Sequence, residues 1–231
     1  MKEIVSLFGK EGWVKKTNRP IGLIVFIPGL FDNLKSSVFQ EIFDIEVNFD
    51  IFACNLYPGV NLEKPNESMM DLIKDFNSIL KKASNIYDKI FVISYSFSSE
   101  VLLRLPLPFQ VKAVALWSPS FFYPQNITST LSNYKGNKNI LKHGDNLIGE
   151  RLAKELDSFD TMSKITNLNK PLQIYTSLDE QGEKSWANPE IFKLIPSKDK
   201  THINIDFKHQ YTEKQVEELF LKTCLWFSKF Q

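Results

Sequence analysis

Hydrophobic residues gather into short runs that close on proline-glycine, serine or aspartate, and between them lie stretches whose apolar residues recur every three or four positions. The run from Ile21 to Pro28, IGLIVFIP, is short, β-branched and closed by Pro28-Gly29, the pattern of a strand buried on both faces. DIFACNLYPG ends the same way. KIFVIS, VKAVALWSP, LQIYTS and HINIDF read as four further strands. After the second strand, NESMMDLIKDFNSILKKA places Met69, Leu72, Ile73, Phe76, Ile79 and Leu80 at helical spacing, with asparagine and glutamate at its start and lysines in its last turn. SSEVLLRL reads as helix until Pro106. TEKQVEELFLKTCLWFSKF predicts a closing amphipathic helix with Val216, Leu219, Phe220, Thr223 and Phe227 on or near one face. Strands that alternate with helices predict an α/β fold with a mainly parallel sheet covered on both sides, which binds ligands at the carboxyl ends of its strands.

The alternation weakens between Trp117 and Leu172. That stretch holds FFYPQN, the polar SNYKGNKNILKHGDN and one helical candidate, NLIGERLAKELDSF. A structureless insertion of that length is improbable in a compact domain, so residues 120–165 are expected to fold as a cap within a single domain spanning 1–231.

Composition narrows the partners. With 28 lysines and arginines against 27 aspartates and glutamates, no strong field is available to hold nucleic acid or an anionic membrane. Cys54 and Cys224 lie in apolar runs and read as buried thiols of a reducing compartment. The opening MKEIVSLFGKEGW lacks the apolar core of a signal peptide, and no run approaches the length of a membrane span, so a cytoplasmic location is expected. Two cysteines and three scattered histidines offer no metal-ligand spacing, and neither a phosphate loop nor a dinucleotide fingerprint is present. No cofactor is expected.

The chemistry-bearing stretch is FVISYSFSSE, from Phe91 to Glu100. Three serines spaced two apart follow a buried-looking strand and precede a helix, which is the setting of a nucleophile elbow. In that turn the central serine sits on strained backbone, and its flanking residues must be small because strand and helix pass close together. Ser96 then reads as the nucleophile, with Ser94 and Ser98 as spacers in place of glycines. An ordinary strand-to-helix turn capped by serine hydroxyls is the plainer alternative.

Taken with its neighbours, this stretch resembles the α/β-hydrolase superfamily from about Gly22 to the C-terminus. LIVFIPGLFDN is similar to the family's strand and H-G loop, with Pro28 where histidine is usual. NLYPG resembles a segment that often reads D-x-P-G, with Asn55 for the aspartate. ITNLNKPLQIYTSLDEQG resembles the strand that ends in G-x-x-D, with Asp179 at the acid, and NIDFKHQY the last strand and its histidine loop, with His209 at the base. The order Ser96, Asp179, His209 is the family's order of nucleophile, acid and base.

The resemblance implies a serine hydrolase acting on a carboxylic ester or thioester through an acyl-serine. Backbone N–H groups of Leu30 and Phe97 would form the oxyanion hole, and the neighbouring aromatics Phe31, Tyr95, Phe121, Phe122 and Tyr123 could wall an acyl pocket or simply pack in the core. Of the three histidines, His143 lies in the polar insertion and His202 within a strand pattern, which leaves His209 as the base. Glu180 and Asp206 are rival acids ranked behind Asp179. Ester and thioester substrates, small or carrier-bound, stay open, since Lys135, Lys138 and Lys142 could meet an acidic carrier or simply be solvated. A catalytically silent member of the fold that binds a ligand or partner protein is the alternative from another class.

Overall fold

The structure, a computed structural model, describes residues 2–8, 10–30, 32, 34, 38–57, 67–121, 132–135, 137–143, 146–180 and 185–231. Its central sheet has eight strands. They are β1 (Lys2–Leu7), β2 (Lys10–Lys15), β3 (Leu23–Ile27), β4 (Asp50–Ala53), β5 (Ile90–Tyr95), β6 (Val111–Trp117), β10 (Leu172–Thr176) and β11 (Lys200–Asn204), arranged in the order β1-β2-β4-β3-β5-β6-β10-β11. From β4 to β11 all neighbours are parallel, while the β1–β2 hairpin joins antiparallel to β4.

Period-two alternation distributes the core to both faces. Leu23, Val25 and Ile27 of β3, Ile90 and Val92 of β5, and Val114 and Leu116 of β6 face one cluster, completed by α1 (Met69–Ser84) and α2 (Ser98–Leu102). Ile24, Phe26, Phe91, Ile93, Tyr95, Ala115 and Trp117 face the other, closed by α5 (Glu213–Phe227) and the 3-10 turn Val38–Phe43. Both long helices begin with a capping box, Ser68 with Asp71 and Thr212 with Gln215. All five residues predicted for the buried face of α5 are buried there. Thr223 is polar on that face because its hydroxyl accepts from Trp117 Nε1 at 3.1 Å.

Between β6 and β10 the chain forms a separate antiparallel meander, β7 (Ser132–Tyr134), β8 (Asn137–His143) and β9 (Asn146–Gly149), followed by α3 (Glu150–Asp157). The helix predicted from Asn146 therefore starts four residues later, its first residues being strand. Leu152, Ala153 and Leu156 of α3 join the core on the α1 side. Glu155 ties the two together by accepting from Met69 N, at the start of α1, at 2.6 Å. One further helix, α4 (Pro189–Leu194), precedes β11.

Candidate active site

Chain direction across the sheet locates the site. From β3 the chain passes to β4 on one side, and it returns to β5 on the other, so the loops leaving β3 and β5 diverge and open a crevice at their carboxyl ends. The loop after β3 and the turn after β5 meet there, Gly29 lying against Ser96.

Ser96 sits between β5 and α2 with φ of 52°, the left-handed region that costs a residue with a side chain about 1–2 kcal/mol. The end of β6 holds it there. Ser96 N donates to Trp117 O at 2.9 Å, and Ser120 N donates to Ser96 O at 3.3 Å. A Cβ on Gly29 would lie 3.1 Å from Ser96 Cβ and 2.8 Å from Asp32 Oδ2, so any side chain here would have to displace Asp32 and press on Ser96. Gly29 N donates to that Asp32 oxygen at 2.7 Å, which fixes the loop's shape without the usual histidine. Among the described residues, neither the Leu30 nor the Phe97 main-chain N–H has a hydrogen-bond acceptor.

The flanking serines do more than stay small. Ser94 Oγ and Ser98 Oγ are 2.7 Å apart, and Ser98 Oγ donates to Ile27 O at 2.8 Å, tying the elbow to β3 across the face where glycines would leave a gap.

His209 follows β11, and two adjacent acids hold it differently. Asp179, on the exposed 3-10 turn Leu178–Glu180, accepts from His209 main-chain N at 3.0 Å. Glu180 accepts from the imidazole, Oε1 to Nδ1 at 2.5 Å, and its other oxygen accepts from Ser177 N at 3.3 Å. The acid on the ring is thus Glu180, where Asp179 was expected. The 3-10 turn points consecutive side chains in different directions, and Glu180 is the one directed inward. Burial alone would lower the His209 pKa, but the hydrogen bond to Glu180 and the charges of Glu180, Asp179 and Asp32 outweigh it, and the net shift is upward from 6.5. Asp32 is itself shifted upward by burial.

Tyr95 was expected to wall the acyl pocket. Instead its hydroxyl donates to His209 O at 2.6 Å, and its ring packs on the imidazole. The reason is alternation, which turns Tyr95 to the α5 face of the sheet rather than into the crevice. Phe121 does line a cavity, of about 190 Å³, with Pro119, Thr176, Glu180, Ser185 and Trp186, and its ring meets Trp186 edge-on at 5.2 Å. Phe31, Phe122 and Tyr123 lie outside the described residues, as does the His143 side chain. His202 contacts Thr176 Oγ1 at 2.9 Å within β11, and burial lowers its pKa. Asp206 is exposed and lines a different groove, with Glu218 and Lys222 of α5.

Sequence reasoning passed over two serines just after β6. Ser120 Oγ is 3.4 Å from Ser96 Oγ, and among the described residues it is the hydrogen-bond partner of that hydroxyl. Ser118, at φ 39°, bonds Ser177 Oγ and Tyr211 Oη, which pins the histidine loop to the ends of β6 and β10. The repeated serines of WSPS, placed after a strand as in SYSFS, were the available signal.

No helix among the described residues is long and apolar enough to cross a membrane, and these residues contain no group of histidines, cysteines and acids able to hold a metal ion. No family model matches the sequence, and neither does any curated protein. Solved structures do match. The esterase domain of a Rhodothermus marinus protein is 14% identical and superposes with a TM-score of 0.65 over 96% of this chain and 93% of its own. Mouse alpha/beta hydrolase domain-containing protein 10 gives 14% and 0.67 over the whole of both chains, and a Paleococcus ferrophilus monoacylglycerol lipase 15% and 0.64 over 96% of this chain and all of its own. Strand order, the strained serine after the central strand and these superpositions agree that the chain has the α/β-hydrolase fold.

Proposed function

We propose that this protein is a serine hydrolase that cleaves a carboxylic ester or thioester through an acyl-Ser96 intermediate. The observation that carries the reading is Ser96 at positive φ on the strand-to-helix turn, at the same sheet edge as an imidazole oriented by a carboxylate. Glu180 takes the role of acid in this reading, by holding Nδ1 protonated so that Nε2 is free to act as base.

In the first step Ser96 Oγ bonds to the carbonyl carbon while its proton passes to His209 Nε2. The carbonyl π pair moves to oxygen, and the N–H groups of Leu30 and Phe97 stabilise that oxyanion. Collapse of the intermediate breaks the bond to the alcohol or thiol, which leaves with the proton from His209. Water then repeats the sequence on the acyl-enzyme, releasing the acid and restoring Ser96. The Phe121–Trp186 cavity beside Ser120 would hold the acyl group, and residues 120–165 would cap it.

A fluorophosphonate probe tests the proposal. It should label wild-type protein, and labelling should vanish in Ser96→Ala while cooperative melting persists. One observation favours a second reading, a silent binding protein: the Ser96 hydroxyl bonds Ser120 and not His209. Folded wild-type protein that resists the probe would establish that reading instead. Carrier-bound and free substrates separate by salt, since a carrier-bound acyl group docked on lysines loses rate as ionic strength rises and a free ester does not.

A further inference from the structure

With 19 phenylalanines in the chain, a tyrosine at the elbow asks what its hydroxyl is for. Tyr95 is 5% exposed. A phenol buried this far must bond to something or lose the hydration it had when unfolded. Its partner is the main-chain oxygen of His209, 2.6 Å away and 114 residues along the chain. The ring packs on the imidazole with centroids 5.1 Å apart and planes inclined by 31°, and it also meets Phe39 at 4.9 Å and Tyr211 at 5.3 Å.

His209 is therefore gripped at its main-chain N by Asp179, at Nδ1 by Glu180, and at its carbonyl and ring face by Tyr95. Both acids come from the turn after β10, which is separated from β5 by β6. Among the described residues Tyr95 supplies the hydrogen bond that joins His209 to the strand carrying the nucleophile, and it is the neighbour of Ser96 in the chain. We propose that Tyr95 is a positioning residue: it sets the separation of Ser96 and His209 and shields one imidazole face from water. The proposal rests on the reading of Ser96 and His209 as nucleophile and base.

The test compares Tyr95→Phe and Tyr95→Leu with wild type and Ser96→Ala. The readouts are p-nitrophenyl acetate hydrolysis, the rate of fluorophosphonate labelling, the pH dependence of both, and melting. Tyr95→Phe keeps the ring and loses the bond. Its kcat and labelling rate should fall about tenfold, the equivalent of one hydrogen bond, with KM within about twofold and the pH limb of the base in place. Tyr95→Leu should lose more and move that limb upward, because the uncovered imidazolium regains water. Wild-type kcat and labelling in Tyr95→Phe would overturn the proposal. So would a loss in both variants that tracks melting, with the limb unmoved in Tyr95→Leu. Wild-type protein that resists the probe, or turnover that survives Ser96→Ala, would strike the hydrolase reading and this proposal together. Labelled wild type with an unaffected Tyr95→Phe would strike the positioning role alone.

Discussion

Single side chains decide what this site can do, and the two neighbouring acids show it most directly. Asp179 accepts from a main-chain N–H, which an asparagine carbonyl oxygen can do equally well, whereas Glu180 bonds the ring atom whose proton sets the tautomer. Glu180→Gln should accordingly lower turnover by about 10⁴, the loss seen when the acid of the template triad is made an amide, while Asp179→Asn should cost far less. Steady-state rates of the two variants, measured beside their melting curves, decide between them. The opposite ranking would return the acid to Asp179. Order along the chain pointed to the loop after β11 and the turn after β10, which the structure brings into contact, but two adjacent carboxylates cannot be ranked without knowing which side of the turn faces inward. The elbow serines carry a similar lesson. Read as spacers, Ser94 and Ser98 needed only small volume, yet Ser98 also donates to Ile27 O. Ser98→Gly should keep labelling and lower stability by about 1–3 kcal/mol, as expected when a buried carbonyl loses its donor, a change that denaturant unfolding would register. Ser98→Val should damage folding itself, since its side chain is fully buried between elbow and β3.

Among the elements, those buried on both faces or strongly amphipathic were legible, and those defined by pairing were not. The runs that became β3, β5, β6 and β10, like the faces of α1 and α5, carry hydrophobic periods that hardly depend on neighbours. The β1–β2 hairpin was missed, because KEIVSL and KEGWVK are short, mixed sequences without a clear hydrophobic period. The meander of the insertion is similarly polar. One joint between elements makes its own prediction. Glu100, in α2 just after the elbow, is fully buried and accepts from Thr161 Oγ1 at 3.0 Å, past the end of α3, while its other oxygen has no partner among the described residues. Burial raises its pKa well above 4.5, against the opposing influence of the Thr161 hydrogen bond and the Arg104 charge, with Asp160 adding to the rise. A carboxyl raised on folding stabilises the native state below its unfolded pKa, and that contribution is lost as pH rises through the folded value. Glu100→Gln keeps the shape and the acceptor for Thr161 without the titration. Chemical denaturation should find it more stable than wild type in alkaline solution and show a flatter stability profile with pH. An equal slope in the two proteins would mean that Glu100 meets water in the folded state.

For the whole molecule, the near balance of charge hides a local imbalance. Lysines and arginines almost equal acids overall, yet Glu180, Asp179 and Asp32 all act on one imidazole and its pKa ends above 6.5. Stability and activity then depend on pH in opposite senses. On the proposed reading His209 acts as base only when neutral, so hydrolysis should rise with pH through a midpoint above 6.5. As a folded-state cation beside Glu180 it stabilises the protein fully below the unfolded value of 6.5, and that contribution disappears as pH rises through the raised folded value. The side chain is about one-third exposed, so solvent screens part of the effect. Asp32→Asn probes the imbalance from a distance, because asparagine can still accept from Gly29 N through its carbonyl oxygen while the charge is gone. With one of three carboxylates neutralised, the activity limb should move to lower pH. The melting advantage of wild type over this variant should be largest in mildly acid solution, where His209 is charged, and should shrink toward alkaline pH. A pH–rate profile and a melting series on the two proteins measure both. A limb that stays in place would show that the Asp32 charge is screened from His209, and a wild-type midpoint at or below 6.5 would show that burial outweighs Glu180 and its neighbouring carboxylates.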